Sequence, residues 1–473
     1  MSLDAQRLVA WLPHQRWFGG KARVIERVEV VDQAIVEDGP PELLLVLARV
    51  HFTDGGGDLY HLPLLVNEDG TFEDAVTSPH SLAVLGDLLA HGVTIKGSDG
   101  TFDFLGPGLD PLQPPGSSGV RSLGVEQSNS SLVFDEKVIL KLLRRVDVGH
   151  NPDLELTRLL TDRRFENVPP HVGDVSYTGG TEDEEMRVDL GIAQRFEPDG
   201  RDAWAETLRR LDAFYDEVHP LDVAEDYLAL TEDRAGSLLQ SIEELGEATA
   251  ALHIMLSTED PDPSFLPETI DPYDLKLWAR QVRVALAREL ALEPALSATA
   301  AAIEARVDQL DDVVDAGLKT RIHGDYHLGQ VLATPRGWMV LDFEGEPARA
   351  MEERREKQSP LRDVAGMLRS FSYAASAALF ARARPGSEAW SELEPWANTW
   401  EELARDRFLS AYLRKSHEGR FLPGDPPARR ILLDVFEIDK ALYELGYERG
   451  NRPEWIRIPL RGIEQAAVRD VRR

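Results

Sequence analysis

The stretch from His323 to Pro347, HGDYHLGQVLATPRGWMVLDFEGEP, gathers side chains able to do chemistry. VLAT and WMVLDF are strand-like, and Pro335-Arg336-Gly337 between them is a turn signal, so an antiparallel hairpin is predicted. Gln330 lies six residues before Arg336 and Asp342 six after it. A hairpin centred there brings those two side chains near each other at its open end, with Asp325 in the loop just before it. Two carboxylates and an amide then converge. Phosphoryl transfer needs such a set: oxygen ligands for Mg²⁺, here Gln330 and Asp342, and a carboxylate, here Asp325, that orients and deprotonates an acceptor hydroxyl. Either fragment alone reads as a turn or a solvated loop; the combination at this spacing, ordered as in a kinase catalytic loop, favours catalysis. His323 is expected to brace the loop, with Glu344 in support. His327 is an acceptor-side candidate, and a lone His-Asp pair does not make a zinc site.

The elements that must position these groups fall into three stretches. Residues 1–105 alternate short apolar runs with turn signals and read as a β-rich unit. The Gly- and Pro-rich 106–119 opens a strand-dominated stretch to residue 200. From 201 to 473 the periodicity is helical, at 203–217, 236–257, 272–316, 360–382, 391–415 and 427–449, interrupted by the hairpin. A length of 473 residues calls for two or three packed units. Lys plus Arg number 52 against 83 Asp plus Glu, a net charge of −31, which repels nucleic acid and anionic lipid. The absence of cysteine removes thiolate chemistry and disulfides. Neither a signal sequence nor a membrane-spanning stretch is read, so the expectation is a cytoplasmic protein, a monomer or weak homodimer.

HGDYHLGQ followed by DFEGEP and then SPLRDVAGMLRSFSYAA at 359–375 closely resembles bacterial maltokinases of the aminoglycoside-phosphotransferase-like kinase superfamily. WLPHQRWFGGKAR at 11–23 resembles the maltokinase N-terminal cap, and VFEIDKALYELGYERGNRPEWIRIPL at 435–460 its sugar-side region. Glutamine at position 330, where the wider superfamily usually has asparagine, fits maltokinases. The resemblance implies an α+β, bilobal protein-kinase-like fold: a β-rich cap at 1–105, a nucleotide-binding lobe at 106–200 and a helical lobe at 201–473. It implies ATP and Mg²⁺, phosphorylation of the anomeric hydroxyl of maltose to maltose 1-phosphate, and a place in trehalose-to-α-glucan metabolism. A glucosamine or other monosaccharide kinase on the same fold is the enzymatic alternative, and an inactive kinase-like binding module is the alternative of another class.

On the nucleotide side, Lys141 ends the apolar run VILK, where a lysine either snorkels or serves a ligand. Asn151 as N-cap and Pro152 at the first helical position open a helix containing Glu155, the expected anchor for Lys141. The resemblance places this pair at the α- and β-phosphates. Gln127, Ser128, Asn129, Ser130 and Ser131 form a polar loop suited to covering phosphates, although without the glycines of a kinase loop. Gln194 and Phe196, between the strand-rich and helical stretches, are expected at the adenine. His253 reads as a helix-packing residue.

On the acceptor side, Lys440, Tyr443, Glu444, Tyr447 and Glu448 fall at i, i+3, i+4, i+7 and i+8 of one helix. Aromatic faces pack against pyranose C–H groups and carboxylates accept hydroxyl hydrogen bonds, so this face is the candidate sugar surface, with Arg452 and Trp455 beyond it. A solvated, ion-paired face is the alternative. Trp11, Trp17 and Phe18 read as core.

Overall fold

The run Leu43-Leu44-Leu45-Val46-Leu47 has no polar side chain to turn toward water, and in the computed structural model all five are buried. They lie in β2 (Glu42–Phe52), antiparallel between β1 (Ile25–Glu37) and β3 (Gly57–Val66). Alternate residues serve different cores. Leu44, Val46, Ala48 and Val50 pack with Leu8, Leu12, Trp17 and Phe18, whereas Leu45 and Leu47 pack with Leu82, Leu85 and Leu89. A strand covered on both faces reads as a continuous apolar run, not an alternation.

The structure describes residues 3–106, 119–123, 129–181, 184–219, 226–346 and 349–469. Two compact units emerge, Met1–Arg164 with Val168–Asp199, and Phe165–Asn167 with Gly200–Arg473. In the first, β1–β3 are followed by β4 (Phe72–Asp74), β5 (Thr94–Lys96), β6 (Gly100–Leu105), β7 (Val120–Ser122), β8 (Asn129–Phe134) and β9 (Val138–Leu143). Then come β10 (Arg145–Val146), β11 (His171–Thr181) and β12 (Glu184–Arg195). One sheet has the order β1-β2-β3-β10 with β4 on β3; the other is seven-stranded, β5-β6-β11-β12-β9-β8-β7.

The chain crosses between these sheets at Arg144. Fully buried, Arg144 donates to both oxygens of Asp74 at 2.9 and 2.8 Å and to Ser130 Oγ at 2.9 Å, and stacks over Trp17. One apolar cluster joins residues on both sides of residue 105, from Ala34 and Leu59 to Leu132, Leu140 and Val188.

The meander expected over 1–105 also contains helices α1 (Ala5–Trp11) and α2 (Pro79–His91). The ends of α2 carry the usual chemistry: Ser78 caps it through Ser81 N–H, Pro79 is its first residue, and Gly92 closes it at φ 63°. Asp135 and Glu136, both at positive φ, make the turn between β8 and β9. Helix α3 (Pro152–Asp162) starts at the predicted Asn151 cap.

The second unit contains α4 (Ala203–Val218), α5 (Tyr227–Arg234), α6 (Gly236–Leu256), α7 (Pro272–Leu290), α8 (Ala300–Asp308) and α9 (Met351–Arg354). After these come α10 (Leu361–Arg382), α11 (Glu388–Ser416), α12 (Pro426–Asn451) and α13 (Arg457–Val468). The stretch 272–316, expected as one helix, is two, because Pro294 opens a separate 3₁₀ turn between α7 and α8. Helix α10 is buried on most of its circumference, as a helix at the centre of a helical unit must be. Four polar residues buried in it hold partners: Asp363 and Ser370 bond the 323–328 loop, Arg369 bonds Glu444, and Ser372 bonds Glu401. Among the described residues, no helix is long and apolar enough to cross a membrane.

His61 in β3 is fully buried, and burial together with the Arg144 charge pushes its pKa down to about 3. The unfolded imidazole binds a proton below its ordinary 6.5, whereas the folded one does not until about 3. Its contribution is therefore complete above 6.5 and lost as the pH falls toward 3. From this group alone, unfolding free energy should drop by about 1.4 kcal/mol between pH 7.5 and pH 5.5. Urea titrations at both pH values should show that drop, and His61→Gln should remove it.

Candidate active site

The hairpin pairs Val331 with Val340, Leu332 with Met339, Ala333 with Trp338 and Thr334 with Gly337. Its strands are Val331–Thr334 and Gly337–Val340, so its centre falls between Pro335 and Arg336 and not on Arg336. Gln330 therefore stands opposite Leu341, whose N–H donates to the Gln330 carbonyl at 2.9 Å, and Asp342 comes one residue later. At that point the backbone leaves extended geometry: Asp342 has φ 62°, a conformation that non-glycine residues adopt at a cost. The open end of the hairpin thus holds an amide and a carboxylate on adjacent rungs, oxygen donors of the kind that suit a hard divalent cation.

Asp325 precedes this hairpin in a loop clamped from behind. The buried carboxylate of Asp363, in the first turn of α10, accepts the N–H of His323 at 2.8 Å and of Gly324 at 2.9 Å. His253 of α6 adds a contact to the same carboxylate at 3.1 Å and meets Tyr412 OH at 2.8 Å through its other nitrogen. Burial would raise the Asp363 pKa, but the bond from His253 and the neighbouring imidazoles outweigh it and hold the carboxyl below the usual range. His323 donates from Nε2 to the Leu341 carbonyl at 2.8 Å and accepts the Asp325 N–H at Nδ1, 3.3 Å, so it ties the loop to the hairpin. Ser370 Oγ accepts Leu328 N–H at 3.0 Å, and Tyr326 OH meets Thr249 Oγ1 at 2.9 Å. Gly366 is required here: a Cβ on it would come 2.6 Å from the Tyr326 carbonyl.

In front of the loop lies a cavity of about 260 Å³ lined by Asp325, Glu346, Lys440, Tyr443, Arg362 and Gln358 among others. Lys440 reaches Asp325 Oδ1 at 3.1 Å and Glu346 Oε2 at 2.8 Å. Burial opposes the Lys440 charge, but the two carboxylates outweigh it and hold its ammonium above the usual lysine range. Tyr443 OH donates to Glu346 Oε1 at 2.9 Å; burial and that carboxylate push the phenol up to about 12, so it stays a donor. His327 Nε2 lies 3.9 Å from Asp325 Oδ2, and its Nδ1 accepts Gly329 N–H. Burial lowers the His327 pKa despite Asp325.

The helical face predicted for the acceptor divides. Lys440 and Tyr443 line the cavity. Glu444 does not: buried, it accepts two bonds from Arg369 at 2.9 and 2.7 Å. Glu448, 1% exposed, is taken by Arg452 at 2.8 and 2.6 Å and by Tyr373 OH at 3.1 Å. Arg452 also stacks on Trp455, and Tyr447 is exposed. These are packing ion pairs, which periodicity cannot tell from a binding face. Glu346 and Asp363 escaped prediction. The first sits four residues past Asp342 in DFEGEP, and the second, in SPLRDVAG, was read only as part of a motif.

In the first unit, Lys141 pairs with Asp153, Nζ to Oδ2 3.5 Å. Asp153 lies two residues before Glu155 in the same helix, is 2% exposed and is also bonded by Thr157. Asn129, Ser130 and Ser131, expected in a loop, belong to strand β8, and Asn129 and Ser130 bond Arg144. Gln127 and Ser128 lie outside the described residues. The Gln194 side chain donates to the Pro169 carbonyl at 3.1 Å, while Phe196 N–H bonds the Lys137 carbonyl at 2.7 Å and its ring faces Arg121.

Residues 11–93 match the family described as the maltokinase N-terminal cap domain, and residues 192–396 the phosphotransferase enzyme family. A glucosamine kinase of Mycolicibacterium smegmatis is 25% identical over 392 residues, 77% of this chain and 90% of that one. A glucosamine kinase of Streptacidiphilus jiangxiensis is 25% identical over 351 residues, 72% of each. Among solved structures, a glucosamine kinase in complex with glucosamine, ADP and inorganic phosphate has a TM-score of 0.68 at 18% identity, over 98% of this chain and 99% of that one. A second crystal form of a glucosamine kinase gives 0.70 at 19% identity, over 97% and 98%.

Replacing Asp363 with alanine leaves the N–H groups of His323 and Gly324 without this acceptor, at about 1–3 kcal/mol for the buried His323 group. Turnover should fall by about a hundredfold or more as Asp325 loses its position. Steady-state kinetics with urea unfolding check this, and an unchanged kcat would exclude the clamp.

Proposed function

For a maltokinase-like sugar phosphotransferase with a phosphotransferase-family kinase fold, as this chain is, we propose ATP-dependent phosphorylation of the anomeric hydroxyl of maltose at Asp325. The observation that carries this reading is the placement of Asp325 in the cavity beside Lys440. Asp325 accepts the proton of the sugar hydroxyl as its oxygen attacks the γ-phosphorus. The bond from γ-phosphorus to the β–γ bridging oxygen breaks, and ADP leaves with that oxygen. Lys440 holds Asp325 in place through Oδ1, and Tyr443, whose proton goes to Glu346, keeps its oxygen free to accept from a sugar hydroxyl. Gln330 and Asp342 would hold the divalent cation, which when bound neutralises phosphate charge. In the first unit, Lys141 with Asp153 is the proposed phosphate-binding pair, and Gln194 to Phe196 the adenine-binding segment through main-chain groups.

Beside the acceptor position Asp325 and Glu346 share the single ammonium of Lys440, Glu346 also accepts from Tyr443, and Asp439 pairs with Arg362 at 2.9 Å. The second reading, an amino-sugar kinase, draws support from the names of the two curated relatives.

Asp325→Asn should lower ATP-dependent sugar phosphorylation by about a thousandfold or more while nucleotide still binds. Turnover with maltose and with glucosamine, under ATP and Mg²⁺, separates the two readings. Phosphorylation of glucosamine with maltose untouched would overturn maltose, and undiminished turnover by the variant would overturn the role of Asp325.

A further inference from the structure

We propose that Gln358 and Arg362 form the wall that reads an acceptor longer than one ring, and that its second ring passes over Gln358 into an adjoining cavity. The inference rests on the sugar-kinase reading and goes beyond it in naming the groups that set acceptor length.

Four observations carry it. First, the wall of the 260 Å³ cavity formed by Gln358 and Arg362 keeps two buried polar atoms without a hydrogen-bond partner, Gln358 Oε1 and Arg362 Nε. Buried polar atoms are normally satisfied, so such a pair asks for an explanation. One is an acceptor and the other a donor. A sugar hydroxyl donates and accepts, and neighbouring hydroxyls match a wall that presents one of each; a phosphate or carboxylate, which only accepts, leaves the glutamine oxygen unmatched.

Second, the Gln358 backbone and the Arg362 side chain are held in place. The Gln358 backbone is locked to Thr320 by reciprocal N–H to carbonyl bonds of 2.8 and 2.9 Å. Arg362 is fixed by Asp439 at 2.9 Å and lies over Phe436 at 4.5 Å and Trp278 at 5.5 Å. Groups held this way discriminate by geometry, because they lose little freedom on binding.

Third, the space does not end there. A second cavity of about 550 Å³ shares Glu356 and Gln358 with the first and is bounded by Trp278, Leu277, Lys319 and Arg321. Leu277 is 39% exposed and offers apolar surface to a pyranose face. Fourth, Lys319 is matched by Asp274 at 2.9 Å and Glu268 at 3.6 Å, and Arg362 by Asp439, so these two cations already have anionic partners. The orphan donor and acceptor beside the apolar surface of Leu277 fit a polyhydroxylated occupant, a second sugar ring.

The test compares kcat/KM for maltose and for glucose in wild type, Gln358→Leu and Leu277→Asp. Gln358→Leu removes the orphan oxygen at nearly constant volume; Leu277→Asp alters only the far cavity, at a part-exposed position that endangers folding least. The maltose-to-glucose ratio of kcat/KM should fall about tenfold in each, as expected for one lost contact, through KM for maltose and not through KM for ATP. A ratio unchanged in both variants overturns the proposal, as does a wild type that uses glucose or glucosamine in preference to maltose; sugar kinase activity would stand in either case. A wild type that phosphorylates no sugar overturns both.

Discussion

The hydrogen bonds from the Asp363 carboxylate to the N–H groups of His323 and Gly324 are the constraint on which the rest of the site depends. A loop that carries a catalytic carboxylate must leave regular structure to expose it, and its N–H groups then lack ladder partners. Here one buried carboxylate supplies two of them. It is held in turn by His253, which is itself in contact with Tyr412, so the position of Asp325 is set by helices α6, α10 and α11. The approach of Tyr326 to Gly366 gives the same result sterically: the loop lies directly on α10 because that helix has no side chain there.

In front of this rigid backing the chemistry is electrostatic. Lys440 bridges Asp325 and Glu346, and Glu346 positions Tyr443, so four residues of two segments form one hydrogen-bonded cluster in the cavity. The same helix uses its other carboxylates for packing, Glu444 on Arg369 and Glu448 on Tyr373, which fixes the helix that delivers Lys440. Breaking a buried pair of this kind by removing one partner is strongly destabilising. Division of labour along a single helix explains why residues of like type, one turn apart, take different parts.

How much of this was legible in the sequence follows from the range of each interaction. The hairpin was readable because Pro335 to Gly337 and the flanking strand residues are local, yet its register shifted by one because the turn closes on Thr334 and Gly337. The Asn151 cap and Pro152 start of α3 were equally local, whereas α2, with the same chemistry at Ser78, Pro79 and Gly92, was passed over by the strand reading of 1–105. The tie between residue 363 and residues 323 and 324 spans some forty positions, and nothing in local pattern announces it. Periodicity put Glu444 and Glu448 on the face of Lys440, but what faces them, Arg369 and Tyr373, comes from another helix. Likewise Asp153 and Glu155 share a helix, and only the fold shows Asp153 beside Lys141.

The central claim is that this chain moves a phosphoryl group from ATP to a sugar hydroxyl placed at Asp325. Phosphorus NMR of the protein with ATP, Mg²⁺ and maltose, followed in time, tests it most directly. The account predicts a new phosphomonoester resonance coupled to the anomeric proton, growing in step with ADP. ADP accumulating with inorganic phosphate alone, or a phosphate coupled to another position of the sugar, would contradict it.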